Sequence, residues 1–273
     1  MKRSLAVAFC LLVTLDVGGA CAQSPQSLDI LGVQLRMSRK PAVQLLLSRQ
    51  PPYAITNTVA PTVEELGQSV WNISLNANKQ DVADSIDLDF APPPTESTVL
   101  RISRSVCYDC SGQKRSLDAP SVEIFLRSLA EKLKSSTPTV VEGRSQNAGT
   151  TIGETTIYVW TPAGHFLSSA ELSRRLRYPA RCINPPKLDQ ARTNVGFDFN
   201  VHLEDKDFKN ICGTVARIHW VQAGGIITRF DMDFNDVAGL FSAFSKSAAL
   251  IHAKKGSQHQ QELQRANQNR PKL

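Results

Sequence analysis

The sequence predicts an α+β protein built from antiparallel sheets, with helices packed on one face. Three observations carry this expectation: strict apolar/polar alternation in several short segments, a helical apolar stripe in only a few others, and turn residues between neighbouring alternating runs. The order helix-then-strands occurs twice, over about 38–106 and about 120–234, so two similar helix–strand modules are one reading of the pattern.

Lys2 and Arg3 followed by the apolar run Leu5–Leu15 and the small–x–small group Ala20-Cys21-Ala22 read as a signal peptide over residues 1–22, cut near Ala22. The run is shorter than the roughly 20 residues needed to span a bilayer. Lipidation at Cys21 is the competing process, and Gly18 stands where that signal wants a leucine-like residue. The expectation is therefore a periplasmic or secreted protein with no transmembrane segment in the mature chain. The remaining chain divides into an N-terminal α+β module (23–118), a C-terminal α+β module with a disulfide (119–255) and a disordered basic tail (256–273).

Asp29 to Leu35 reads as short and extended. Ser38 then serves as an N-cap, Pro41 sits in the first turn, and Ala42, Leu45 and Leu46 give helical spacing up to about Arg49. Pro51-Pro52 ends that helix. Strands follow at Tyr53 to Val59 and Val70 to Asn76, and a hairpin at Ile86 to Phe90 and Thr98 to Val106 turns at Ala91-Pro92-Pro93-Pro94. Val122, Phe125, Leu126, Leu129 and Leu133 make the clearest helical stripe, entered at Asp118 and Pro120. Val140 to Glu142 and Ile157 to Trp160 are strands around a turn at Gly143 to Gly149. A short helix capped by Ser168 or Ser169 runs to Leu176, and Pro179 to Asp189 is irregular. Val195 to Leu203 and Thr214 to Trp220 alternate strictly. Gly224-Gly225 turns into Ile226 to Phe234, and Asn235 or Asp236 caps a last helix carrying Val237, Leu240, Phe241, Phe244, Ala248 and Ile251. After Gly256 almost no apolar residue remains to be buried, which reads as disorder.

The segment Leu31 to Leu47 (LGVQLRMSRKPAVQLLL) resembles the opening of the small helix–strand modules of envelope-assembly lipoproteins. It is also similar to uncharacterised exported bacterial proteins with a later Cys…Cys-Gly pattern, here Cys182…Cys212-Gly213. That resemblance implies binding rather than catalysis.

Charge narrows the partners. Without Lys2, Arg3 and Asp16 the 31 basic and 25 acidic residues become 29 and 24. From Ser245 onward Lys246, Lys254, Lys255, Arg265, Arg270 and Lys272 face Glu262 alone, so the tail holds the whole excess and the body is balanced. A balanced body offers no broad basic face for nucleic acid.

Four cysteines remain after the signal, Cys107, Cys110, Cys182 and Cys212, and an even count in an exported protein reads as two disulfides. Three connectivities are open, and Cys107–Cys110 with Cys182–Cys212 is preferred. Cys107-Tyr108-Asp109-Cys110 has the spacing of a redox pair, but the loop-like Ser111 to Ser116 follows it where a thioredoxin-type site has a helix. A local staple is the better account, and a Zn²⁺ site shared by all four cysteines ranks lower still.

Other constellations are weaker. Asp198, Asn200, His202 and Glu204 share one strand face, as a solvated face also would. Asp231, Asp233, Asn235 and Asp236 resemble the start of a calcium loop, but Asp236 and Ser242 stand where that loop needs Gly and Glu. Trp220 in His219-Trp220 reads as core or rim, His165 lies in a turn, and Asn72-Ile73-Ser74 is a formal glycosylation sequon. No catalytic, cofactor or metal motif is present in the sequence. The expectation is a non-enzymatic protein that binds another envelope component, most simply a protein, through a sheet edge or groove. A thiol–disulfide oxidoreductase using Cys107 and Cys110, and envelope-surface binding through the basic tail, are the alternatives.

Overall fold

The computed structural model describes residues 28–79, 81–110, 116–135, 137–147, 151–176, 180–184, 192–193, 196–197 and 210–268. Two short strands, β1 (Asp29–Ile30) and β2 (Val33–Gln34), lead into helix α1 (Arg39–Leu47). Strands β3 (Tyr53–Val59), β4 (Thr62–Val63), β5 (Gly67–Gln68), β6 (Asn72–Lys79), β7 (Val82–Phe90) and β8 (Val99–Cys107) complete the first half. The second half contains α2 (Val122–Leu133), β9 (Val140–Asn147), β10 (Thr151–Trp160), β11 (Phe166–Leu167), α3 (Ser169–Arg175), α4 (Ala180–Ile183), β12 (Arg192–Thr193), β13 (Gly196–Phe197), β14 (Thr214–Ala223), β15 (Ile226–Asp236) and α5 (Val237–Gln268).

The fold is α+β and antiparallel throughout. One nine-stranded sheet runs β11-β10-β14-β15-β8-β7-β6-β3, with β9 paired to β10 beside β11. The expected boundary near 118 falls between β8 and α2, yet β8 pairs directly with β15, Ile102 opposite Phe234. The two halves therefore share one sheet. Their similar helix–strand order closes a single structure.

Period-two alternation sorts the side chains onto two faces. On the first face Leu75, Ile86, Leu88, Ile102, Met232 and Phe234 pack with Ala42 and Leu46 of α1 and with Phe125, Leu129 and Leu133 of α2. On the second face Ile157, Val159 and Val215 meet Leu172 of α3, Cys182 of α4 and Phe241 of α5, while Leu100 and Trp71 meet Leu240 and Phe244 of α5. Helices thus cover both faces, where one-face packing was expected. The second set escaped the sequence reading because Leu100 and Val215 are apolar islands on an otherwise polar face.

Local signals explain most boundaries. Ser121, one residue past Pro120, caps α2 by accepting a hydrogen bond from Ile124 N (3.3 Å), and Ser168 makes a capping box with Glu171 on α3. The Ser168 hydrogen bonds hold the Glu171 carboxyl below its ordinary range. Ser38 does sit at the N-cap of α1, but its hydroxyl donates to Glu96 instead (3.0 Å). Gly224 and Gly225, with φ of 61° and 77°, make the two-residue turn between β14 and β15. A Cβ on Gly213 would lie 2.3 Å from the Thr161 carbonyl carbon, so only glycine lets β14 start beside the end of β10.

Three expectations need correction. Residues 143–147 continue β9 and pair with β10, so the hairpin is longer than the turn read at Gly143 to Gly149. Ala180–Ile183, read as irregular, forms the short helix α4 around Cys182. The tail read as disordered from Gly256 is helical to Gln268, exposed along its length. Burial is absent there, but propagation from an anchored helix costs little, and the Gln, Glu, Leu, Arg and Ala residues are good helix formers. The expected signal peptide, the Val195–Leu203 strand beyond Phe197 and the last tail residues lie outside the described residues.

Asp236 ties the loop between β2 and α1 to the start of α5. It caps α5 by accepting from Gly239 N (2.9 Å), and it grips Arg36 through Nε (2.5 Å) and Nη2 (3.0 Å). Asp236→Ala is expected to cost about 2–3 kcal/mol, from a lost cap of about 1 kcal/mol and a lost charged hydrogen-bond pair. A urea-midpoint shift under half that size would show that the two contacts are not coupled to folding.

Candidate functional site

The cysteines expected to bond do so in the preferred pairs, Cys107–Cys110 (Cα–Cα 5.6 Å) and Cys182–Cys212 (Cα–Cα 5.7 Å). Cys182 and Cys212 are fully buried among Ile157, Val159 and Val215, a structural setting. Cys107 ends β8 opposite Arg229, whereas Cys212 enters β14 at the end paired with Asp236. Seven residues of β15 separate those levels, on the order of 23 Å at strand rise, so a shared zinc site is ruled out. After Cys110 the next described helix begins only at Val122. That places no described helix N-terminus directly behind the pair to lower a thiol pKa.

The acidic run at the end of β15 is divided among separate partners. Asp231 binds Arg229, Asp233 binds Arg101 and accepts from Asn235, and Asp236 caps α5. Among the described residues no group of three His, Cys, Asp or Glu converges on a metal position. His219 projects from the second face and shares a hydrogen bond with Thr155 Oγ1 (3.0 Å), while Trp220 is buried on the first face. His165 sits in its expected turn, its N–H donating to Thr161 Oγ1. Asn72 of the sequon donates to Asp89 (2.6 Å) within the sheet. Asp198, Asn200, His202 and Glu204 lie outside the described residues.

Two polar clusters were not read from the sequence. On the second face Arg101 lies between Asp233 (Nε–Oδ1 2.8 Å, Nη2–Oδ2 2.9 Å) and Asp89 (3.3 Å). Burial pushes the Asp89 carboxyl above its usual range, against the pull of Arg101 and Asn72. On the first face Arg104 makes a two-pronged bond to Asp84 (3.0 and 2.7 Å) and lies 5.7 Å from the Phe230 ring centre. Burial opposes the charge of Arg104, but Asp84 more than offsets it and the pKa stands above normal. Burial raises the Tyr53 pKa as well, with Asp84 adding to the effect. The sequence signal was present: Asp84 and Arg104 occupy apolar-face positions beside Val82, Ile86, Ile102 and Val106.

The remaining feature is the sheet edge. β3 is the last strand of the order, and among the described residues nothing pairs with its outer side. Its residues Ala54 to Val59 are exposed apart from the pairing with β6, and Ile55 and Val59 (46 and 39 % exposed) offer apolar side chains on opposite faces of the strand. It carries no charge and no proline after its first residue. A register shift makes Thr56 the extra residue of a bulge, anchored by its hydroxyl to Ser74 O. On the opposite edge strand β9, Glu142 places a charge that pairs with Arg217 (3.0 Å). At the head of β3 a pocket of about 200 Å³ opens between the α1–β3 link and the Arg104–Asp84 pair.

No protein-family model, curated protein or solved structure matches this chain. No described helix is long and apolar enough to cross a membrane.

Proposed function

We propose that this is an exported, non-enzymatic protein that binds another protein of the bacterial envelope by accepting its extended segment alongside β3. The observation that carries the reading is the open edge: an uncharged strand rich in β-branched residues, interrupted only by the bulge at Thr56, with outward N–H and C=O groups at the end of a nine-stranded sheet. A sheet edge of this kind supplies main-chain hydrogen bonds for affinity, and the pocket beside it supplies side-chain selection. The two disulfides suit an oxidising compartment, which supports export together with the N-terminal sequence.

The test places a photoreactive residue at Thr58, and at Ile124 on exposed α2 as control, in the full chain within its native envelope. A discrete adduct from position 58, absent from 124 and lost in Ile55→Lys/Val59→Lys, is expected. Both substitutions lie on exposed side chains and should each shift stability by no more than about 0.5 kcal/mol. Equal adducts at both positions, or none at 58, would count against binding at this edge.

A further inference from the structure

The pocket at the head of β3 has a charge pattern that the fold does not need. Its half-buried wall, Arg104 with Asp84, is self-neutralised by a two-pronged bond. Arg49, on the outer rim, is exposed, and among the described residues its guanidinium donates to Leu31 O alone (2.9 Å). Among the described residues no carboxylate pairs with it. The rest of the rim is Leu31, Gln50 and Pro51, an apolar lip with one amide.

Position and size define the occupant. Tyr53, Ala77 and Asp84 are register partners across β3, β6 and β7, so the pocket lies on the first face at the head of the open edge. Pro51 and Pro52 have no N–H, and the edge ladder stops there. Any strand laid along β3 alternates its side chains, sending every second one to the first face. About 200 Å³ is below the roughly 300–1,000 Å³ of small-molecule sites and suits one side chain.

We infer that the pocket seats an aspartate or glutamate side chain of the strand added to β3, with Arg49 as its counter-charge. The methylene stem lies against Leu31 and Pro51, and the carboxylate accepts from Arg49 and Gln50. This rests on the β3 reading and adds the chemistry of the partner to it. Arg104 shapes the floor without being available as a free cation, because breaking its pair would leave the half-buried Asp84 carboxylate without its partner.

The experiment selects a randomised displayed peptide library against the full exported chain, and against Arg49→Gln and Ile55→Lys/Val59→Lys. Peptides lost on the β3 variant are expected to carry Asp or Glu at one fixed position. Changing that residue to Asn or Gln should weaken binding about tenfold or more, the usual size of a charged hydrogen bond. Arg49→Gln should bind acid and amide peptides alike, at the weaker affinity. β3-dependent peptides with no acidic position would overturn the pocket assignment and leave the edge reading intact. A carboxylate requirement abolished by C-terminal amidation would also overturn it, transferring the charge to a chain end. The absence of any β3-dependent peptide would overturn both.

Discussion

Arg101→Ala is expected to destabilise the protein by about 3–5 kcal/mol at neutral pH, the cost of leaving a buried carboxylate without its partner. Asp89, only 8 % exposed, depends on Arg101 and Asn72 for compensation. Asp233 is a quarter exposed, keeps Asn235, and is less affected. The deficit should depend on pH with a definite sign. Burial already holds the folded Asp89 pKa above the unfolded value of about 3.9, and loss of Arg101 raises it further. Folded protein then binds the proton more tightly than unfolded protein, so the variant loses stability as pH rises through the folded value and recovers toward pH 4. Urea unfolding of both proteins at pH 7.5 and 5.0 checks this. A deficit independent of pH would show that Arg101 acts by packing alone.

Removal of the second disulfide in Cys182→Ala/Cys212→Ala is expected to cost about 3–4 kcal/mol. The bond closes a 30-residue loop, and the cross-link restricts the unfolded chain in proportion to the logarithm of that length. Both sulfurs are fully buried, so the variant also loses core contacts. At about 2–4 °C per kcal/mol for a chain of this size, the melting temperature should fall by roughly 6–16 °C. Cys107→Ala/Cys110→Ala removes a bond between residues three apart and should cost clearly less. Equal losses for the two variants would mean that loop length is not what sets the stabilisation.

Both predictions concern groups that the sequence displayed only in part. The cysteine pairing was legible because the four cysteines beyond the expected signal peptide leave only three arrangements, and the close pair favours itself. The Arg101 cluster was not legible, because Asp89 and Asp233 lie on different strands and become neighbours only through the β7-β8-β15 order. Asp231 to Asp236 shows the same limit. Their spacing imitated a calcium loop, but in the fold Asp231 binds Arg229, Asp233 binds Arg101 of the paired strand, and Asp236 caps α5.

The sequence by itself determined the strands, the helix starts and the turns of this protein. These follow from contacts within a few residues: alternation sets a strand face, Ser121 and Ser168 cap their helices, and Gly224-Gly225 permits only a tight hairpin. It also announced the antiparallel α+β class, since β6 and β7, β7 and β8, and β14 and β15 are each joined by a short connection. Tertiary structure alone decided that the two halves share one sheet, that helices cover both faces, and that β3 is left at the edge. Those outcomes depend on which distant strands pair, and alternation is the same for a central strand and an edge strand. The physical difference lies in the backbone N–H and C=O groups on one side of β3, which no side-chain pattern records.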